Sequence, residues 1–329
     1  MIAWLLLIAG LLLVVFGADY LVDGASSVAR RLGLSEFVIG LTIVGMGTSA
    51  PEMVVSFIGA FHGNADIALG NVVGSNIMNT LLILGLTAVI LPISVTRQNR
   101  HRDIPINIVV TIILILLGLE MTIFGYGEVN ELSRWDGCIL LAVFIVYMII
   151  SFTSGKPDEE EEPGKQRNIW VALLMVAGGL AGLIYGGDLF VDNATIIAKD
   201  YGLSDKFIAI TILAGGTSMP ELATCVVAAI KKKGQLALGN IIGSNIFNIL
   251  LVLGGSAVIH PISFQDFENS VLTLGGVTIP YVDLIVLFVS ALALLASVYI
   301  REKNKIDRLD GALFLTIWVG YMAYLFLNL

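Results

Sequence analysis

The sequence predicts an all-α integral membrane protein with ten transmembrane helices, arranged as two inverted five-helix repeats. Three observations lead to this fold class. Of the 329 residues, 57% are hydrophobic and 13% are charged, and that charged share is roughly half of what a soluble domain carries. Ten apolar windows are long enough to span a bilayer as helices. The two halves of the chain also repeat one another at a fixed offset.

The ten apolar windows differ in composition, which predicts how each span packs. The spans lie near residues 2–22, 35–60, 68–91, 104–124, 134–152, 169–190, 206–230, 236–259, 280–300 and 309–327. The second, third, seventh and eighth spans are rich in glycine, serine, threonine and asparagine. We expect these four to be broken or tightly packed, because small residues let helix backbones approach closely. The remaining spans are rich in leucine, isoleucine and valine, and we expect them to face lipid.

An internal duplication divides the chain. Glu221 lies 169 positions after Glu52, and residues 16–94 align with their second copy without a gap and with nearly half of the positions identical. The same offset relates Asp19 to Asp188, Asp23 to Asp192, Gly70 to Gly239, Ser75 to Ser244, Asn79 to Asn248 and Pro92 to Pro261. We therefore predict a first repeat at 1–152, an acidic linker at 153–168 and a second repeat at 169–329. Five spans per repeat is an odd number, so the second repeat enters the membrane from the opposite side.

The basic residues predict the orientation in the membrane. Fifteen of the eighteen lysine and arginine residues fall on alternate loops that belong to one face. Because cytoplasmic loops carry the excess of basic residues, this face should be cytoplasmic. We expect a multi-pass protein of the cell's plasma membrane, with both termini outside and the acidic linker in the cytoplasm. Asp19, Asp23, Asp188 and Asp192 fall at ends of predicted spans, where we expect interfacial or capping roles.

Each repeat contains a Gly-Thr-Ser-x-Pro-Glu motif, at 47–52 and 216–221, inside an apolar run. Proline has no N–H group and breaks the helical hydrogen-bond ladder, which frees carbonyl oxygens. An ionisable residue at membrane depth is costly and is usually kept for function. Irregular backbone persists at this depth only where it lines a buried or wet cavity. Glutamates beside free carbonyls and hydroxyls form an all-oxygen set, which suits hard cations such as Ca²⁺.

A second duplicated motif, Gly-Ser-Asn-x-x-Asn at 74–79 and 243–248, adds further oxygen donors. Its serine and its second asparagine are four residues apart and share one helix face. We predict a mid-membrane ring of Glu52, Glu221, Asn79 and Asn248, with hydroxyls from Thr48, Thr217, Ser75 and Ser244 and with Ser49 and Ser218 beside them. A structural ion pair is the alternative for each glutamate, but neither motif contains lysine or arginine. We expect Asn71, Asn76, Asn240 and Asn245 to pack or cap rather than bind ions.

These paired motifs, spanning 45–79 and 214–248, resemble the alpha-repeats of the calcium/cation antiporter superfamily, and the whole chain resembles the microbial sodium/calcium exchangers. The resemblance implies a ten-helix inverted-repeat fold. It implies Ca²⁺ held mainly by Glu52 and Glu221 with the carbonyls of Thr48 and Thr217. It also implies two flanking Na⁺ sites, one from Gly45, Thr48, Ser75 and Glu52 and the other from Ala214, Thr217, Ser244 and Glu221. Some relatives carry aspartate where this chain has Asn248, so K⁺ co-transport is not expected here.

The leading hypothesis is a secondary active transporter that exchanges Na⁺ for Ca²⁺ by alternating access. Two ionised glutamates balance one Ca²⁺ or two Na⁺, so exchange with a third Na⁺ would be electrogenic. The alternatives are an H⁺/Ca²⁺ antiporter of the same superfamily and a passive Ca²⁺ pathway. The sequence contains no nucleophile motif or phosphate loop, so no enzyme is predicted. Ca²⁺ and Na⁺ are expected as transported ions, without an organic cofactor. Membrane lipid is the other expected partner, nucleic acid is not, and a monomer is compatible with the sequence.

Overall fold

The computed structural model describes residues 2–125, 129–154, 167–201, 214–268, 270–274, 277–300 and 304–327. In these residues, eight helices are long and apolar enough to cross a membrane, or nine if one bent pair forms a single span. The helices are α1 (Ile2–Leu32), α2 (Glu36–Thr48), α3 (Ala50–Phe61), α4 (Asp66–Ile90), α5 (Asn99–Gly118), α6 (Glu120–Phe124), α7 (Arg134–Ser154), α8 (Ile169–Asp200), α9 (Ala214–Gly216), α10 (Met219–Ile230), α11 (Gly234–Ile259), α12 (Gln265–Glu268), α13 (Val282–Tyr299) and α14 (Arg308–Leu327). Most of the predicted acidic linker at 153–168, and residues 206–213 at the start of the predicted seventh span, lie outside the described residues.

Within the described ranges, six short strands accompany the helices, and they were not predicted from the sequence. They form three antiparallel two-stranded ribbons: β1 (Ile93–Ser94) with β6 (Lys305–Ile306), β2 (Glu131–Leu132) with β3 (Ile262–Ser263), and β4 (Leu272–Leu274) with β5 (Val277–Ile279). The first two ribbons join segments that are far apart in the chain. Each of these strands is too short to show the period-two pattern by which strands are predicted.

Helices α1 and α8 pack against each other along an antiparallel seam. Glycine recurs at every seventh residue of α1, at Gly10, Gly17 and Gly24. A Cβ at Gly10 would stand 2.7 Å from the backbone nitrogen of Phe190, and one at Gly24 would stand 2.9 Å from the carbonyl oxygen of Ala172. Backbones this close leave no room for a side chain. The small residues therefore allow the close packing of these two helices.

Asp19, Asp23, Asp188 and Asp192 lie inside long helices and not at helix ends, so they do not cap a following element, and their interfacial role stays a prediction. Helix α1 continues to Leu32, and α8 continues to Asp200. Asp19 and Asp23 form ion pairs with Lys231, the residue that follows α10. Lys231 Nζ lies 2.7 Å from Asp19 Oδ1 and 2.8 Å from Asp23 Oδ1. The helix extends beyond the apolar window because the small residues at 24–29 are buried against neighbouring helices.

Helix α11 is the most enclosed of the candidate spans, with 94% of its 18-residue apolar window buried. It packs backbone to backbone on α2. A Cβ at Gly239 would stand 2.1 Å from the carbonyl oxygen of Phe37, and one at Gly243 would stand 2.2 Å from that of Leu41. The expectation of tight packing for the glycine-rich second and eighth spans is confirmed. This contact brings the second motif of one half against the first motif of the other.

Candidate cation-binding site

The chain breaks its helical path at the same point of each Gly-Thr-Ser-x-Pro-Glu motif. Helices α2 and α3 meet at an angle of 47° around Ser49, which has φ −82° and ψ 8°. Ser218 occupies the equivalent position before α10, with φ −88° and ψ 7°. Pro51 and Pro220 lie in the first turn of the helix that follows. Backbone N–H groups in a first turn have no partner within the helix, so the missing N–H of proline breaks no hydrogen bond there. The predicted break in the second span is thus confirmed, and the second copy has the same local geometry.

This break places both glutamates in the first turn of a helix. Glu52 is the third residue of α3 and Glu221 is the third residue of α10, and each residue is 1% exposed. The positive end of the helix dipole favours a carboxylate at this position. No ion pair to either glutamate occurs within the described parts of the chain. The structural ion-pair interpretation therefore receives no support from these residues.

Serine hydroxyls hold one oxygen of each carboxylate. Ser49 Oγ donates a hydrogen bond to Glu221 Oε1 at 3.1 Å, and Ser75 Oγ donates to Glu52 Oε1 at 3.4 Å. Ser218 Oγ in turn donates to Ser75 Oγ at 3.4 Å. Ser49 and Ser218 therefore each reach into the site of the opposite repeat. The two carboxylates are close enough for the charge of Glu221 to act on Glu52.

The other oxygen of each glutamate has no hydrogen-bond partner. Glu52 Oε2 and Glu221 Oε2 are buried and unpaired, and so are the amide oxygens Asn79 Oδ1 and Asn248 Oδ1. Asn79 and Asn248 begin or enter π-helical turns, at Met78–Ile83 and Asn248–Leu253, and such turns are frequent at functional sites. These four acceptors belong to the four residues of the predicted ring. Each buried acceptor without a partner costs about 1–3 kcal/mol, a cost that a bound cation would remove.

The remaining predicted donors group across the two repeats. Ser244 Oγ lies 3.4 Å from the carbonyl oxygen of Gly45 and 3.5 Å from Glu221 Oε1. Thr48 Oγ1 lies 3.4 Å from the same Gly45 oxygen, and its hydroxyl is beside Glu221. Thr217 lies beside Glu52. The implied Na⁺ sets each stay within one repeat. Ser75 contacts Glu52 and Ser244 contacts Glu221 as in those sets, whereas the Gly45 oxygen lies beside Ser244 of the other repeat.

Two predicted site positions remain, Gly45 and Ala214. A Cβ at Gly45 would stand 3.2 Å from the backbone nitrogen of Ser244, so glycine lets α2 and α11 meet here. Ala214 begins α9 directly after the undescribed residues 202–213, and its side chain lies outside the described part of the chain.

Three of the four asparagines assigned to packing or capping, Asn71, Asn76 and Asn240, make direct hydrogen bonds to predicted site residues. Asn71 Nδ2 donates to the backbone oxygen of Glu52 at 3.2 Å. Thr48 Oγ1 donates to Asn240 Oδ1 at 3.1 Å, and Asn240 Nδ2 donates to Cys225 Sγ at 3.3 Å. The recurrence of these asparagines in both motif copies was the sequence feature that could have indicated a role at the site. Spacing alone does not reveal that they orient neighbours instead of filling space.

Comparison with known proteins gives the family. A profile described as "Sodium/calcium exchanger protein" matches residues 2–153 and 171–327. The chain belongs to the sodium/calcium exchanger family. It is 38% identical over 336 residues to the protein named "Putative antiporter CaxA" of Alkalimonas amylolytica, covering 99% of each chain. It is 31% identical to the sodium/calcium exchanger MaX1 of Methanosarcina acetivorans, covering 98% of each.

The structural comparison agrees with the family. A solved structure of the sodium-calcium exchanger NCX_Mj superposes with a TM-score of 0.82 at 31% identity, covering 98% of each chain. The protein is therefore an all-helical, multi-pass membrane transporter of this family, which confirms the predicted family. The relatives named here are named as an antiporter and as exchangers.

Proposed function

We propose that this protein is a secondary active transporter that exchanges Na⁺ for Ca²⁺ by alternating access. One observation carries the proposal: four buried oxygens without partners, two from each half of the chain, belong to Glu52, Asn79, Glu221 and Asn248. Ca²⁺ takes six to eight oxygen ligands, and carboxylates are its preferred protein donors. Two carboxylates and two amide oxygens supply most of such a shell, and their two negative charges balance one Ca²⁺.

Hydroxyl groups beside the carboxylates favour Na⁺ over H⁺ as the counter-ion. Ser49, Ser244 and the carbonyl oxygen of Gly45 cluster at Glu221. Ser75 and Thr217 lie beside Glu52. A proton needs one carboxylate oxygen, whereas Na⁺ needs a shell of oxygens. We therefore place one flanking Na⁺ site beside each glutamate, formed by residues of both repeats.

The proposed architecture is the ten-helix inverted repeat, with alternating access through movement of α1 and α8 against the other helices. It is supported by the matching torsion angles at Ser49 and Ser218 and by inverted repeats with broken helices being common in secondary transporters. The excess of basic residues on one set of loops supports termini outside and a cytoplasmic linker. The duplication supports the division at 1–152 and 169–329.

The proposed exchange is tested with the purified protein in lipid vesicles, with Na⁺, K⁺ and H⁺ gradients imposed separately. We expect Ca²⁺ accumulation to require an outward Na⁺ gradient and to be unchanged by a proton uncoupler at clamped voltage. Glu52→Gln and Glu221→Gln, which remove charge at constant size, should abolish uptake. Glu131→Gln, at an exposed glutamate of β2, is the matched control. Uptake driven by a pH gradient alone would favour the H⁺/Ca²⁺ alternative.

Exchange of three Na⁺ for one Ca²⁺ would move one net charge per cycle. One charge crossing 100 mV is worth roughly 2.3 kcal/mol, so an imposed potential should bias the direction of exchange. We expect an inside-negative potential to accelerate Na⁺ entry coupled to Ca²⁺ exit. A rate of Na⁺-driven Ca²⁺ flux that does not respond to voltage would contradict electrogenic exchange.

A further inference from the structure

Asn76 on α4 has a side-chain orientation that its neighbours fix. The residue is buried, and its Nδ2 donates a hydrogen bond to the backbone oxygen of Asn245 at 3.0 Å. A backbone carbonyl can only accept, so the amino group of Asn76 must face it. Asn76 Oδ1 therefore faces the other way, where it accepts from Asn248 Nδ2 at 3.0 Å. The usual ambiguity between the two ends of an amide is absent here.

The same argument extends one residue further, to the proposed cation site. Because Asn76 presents an acceptor, Asn248 must turn its amino group toward it. The amide oxygen of Asn248 then points away from Asn76, and it is one of the buried oxygens without a partner. We infer that Asn76 is a positioning residue that holds the Asn248 oxygen in the proposed cation site. This inference rests on the exchange function proposed above.

The second repeat does not contain the matching arrangement. Asn245 is the counterpart of Asn76, but its Nδ2 donates to Thr80 Oγ1 at 2.9 Å and its Oδ1 has no partner. The counterpart of Thr80 is Ile249, whose side chain has no hydroxyl that could accept a hydrogen bond from Asn76. The asymmetry is therefore encoded in the sequence. It gives Asn76 and Asn245 different tasks although both belong to the same motif.

The contact also determines which residue suits position 248. An ionised aspartate there would set a carboxylate oxygen against Asn76 Oδ1, and two acceptors repel. Asn76 thus selects an uncharged donor at 248, which keeps two negative charges, those of Glu52 and Glu221, in the central site. As a member of the proposed ring, the Asn248 oxygen is assigned to this central site, and the hydroxyl clusters that flank it are assigned to Na⁺. Loss of Asn76 should therefore weaken Ca²⁺ use more than Na⁺ use.

The test is a double-mutant cycle in reconstituted vesicles, with Asn76→Ala, Asn248→Ala and the double variant. We expect Asn76→Ala to raise the half-saturating Ca²⁺ concentration roughly three- to tenfold, which is the change in a binding constant expected from the loss of one hydrogen bond. The half-saturating Na⁺ concentration should change by less than about twofold, because the hydrogen bonds of the Asn76 side chain within the described residues join it to Asn245 and Asn248 and not to the flanking hydroxyls. The double variant should match Asn248→Ala alone. Asn245→Ala is the matched control and should leave the Ca²⁺ value near that of the wild type.

The outcomes separate this inference from the proposed function. Additive losses in the double variant, or equal shifts in Ca²⁺ and Na⁺ dependence, would overturn the positioning role. A loss in Asn245→Ala as large as that in Asn76→Ala would do the same. Asn76→Ser, which keeps a small hydroxyl in the helix, repeats the test if the alanine variant does not fold. A wild-type protein without Na⁺-driven Ca²⁺ flux would instead contradict the exchange function itself.

Discussion

Replacing Gly243 by alanine tests how closely α11 must approach α2. The added Cβ would stand 2.2 Å from the carbonyl oxygen of Leu41 and 2.8 Å from its carbonyl carbon. Backbone atoms cannot rotate away as a side chain can, so the helices must separate by roughly 1 Å to reach an ordinary contact distance. Overpacking of this kind costs about 1–3 kcal/mol. Alanine regains roughly 0.5–1 kcal/mol as the better helix former, so a net loss of stability is expected.

The displacement should also reach the cation site, because Ser244 follows Gly243 directly. The Ser244 hydroxyl lies 3.4 Å from the Gly45 oxygen, a distance that tolerates little further separation. We expect a lower thermal midpoint in detergent and a lower rate of Ca²⁺ exchange in vesicles. The control is Gly178→Ala, at an exposed helical position with open space around the added Cβ. A Gly243→Ala variant with the midpoint and exchange rate of the wild type would refute this reasoning.

Two further predictions concern single contacts. Ser49→Ala removes the hydrogen bond to Glu221 Oε1. We expect the half-saturating Na⁺ concentration, measured by Na⁺ titration of exchange, to rise a few-fold. An unchanged titration would exclude Ser49 from the flanking site. Lys231→Met removes the ion pairs that join Asp19 and Asp23 of α1 to the end of α10. Because such partly exposed pairs contribute at most about 1 kcal/mol, the fold should persist. Amide hydrogen exchange of the backbone at this contact should become faster. An unchanged rate of amide hydrogen exchange would show that the pairs do not restrain α1.

The features predicted correctly are those with a local cause. Proline and a carboxylate inside an apolar run predict a break wherever they occur, and the break lies at Ser49 as expected. The four ring residues were chosen from a local signal as well, because a polar side chain at membrane depth is costly and is usually kept for function; that they bind a cation together stays a prediction. The glycine-rich second and eighth spans predicted close packing, which the contacts of Gly239 and Gly243 confirm.

The features that were missed depend on contacts between distant parts of the chain. Helix α1 continues past its apolar window because neighbouring helices bury residues 24–29, and no window of α1 alone contains that information. Asn76 acquires its role from the Asn245 carbonyl and from the absence of a hydroxyl at Ile249. The grouping of Gly45 with Ser244 follows from interlocking of the two halves. An alignment of each motif with its own copy cannot predict such contacts.

The central claim is that one Ca²⁺ is held between a carboxylate of each half of the chain. Anomalous X-ray scattering from crystals grown with Ca²⁺ measures this directly, because it locates the ion independently of the protein atoms. The account predicts a single strong peak within about 2.3–2.6 Å of oxygens of both Glu52 and Glu221, lost when Na⁺ replaces Ca²⁺. A Ca²⁺ peak that contacts only one of these glutamates, or that lies elsewhere while this position stays empty, would contradict it.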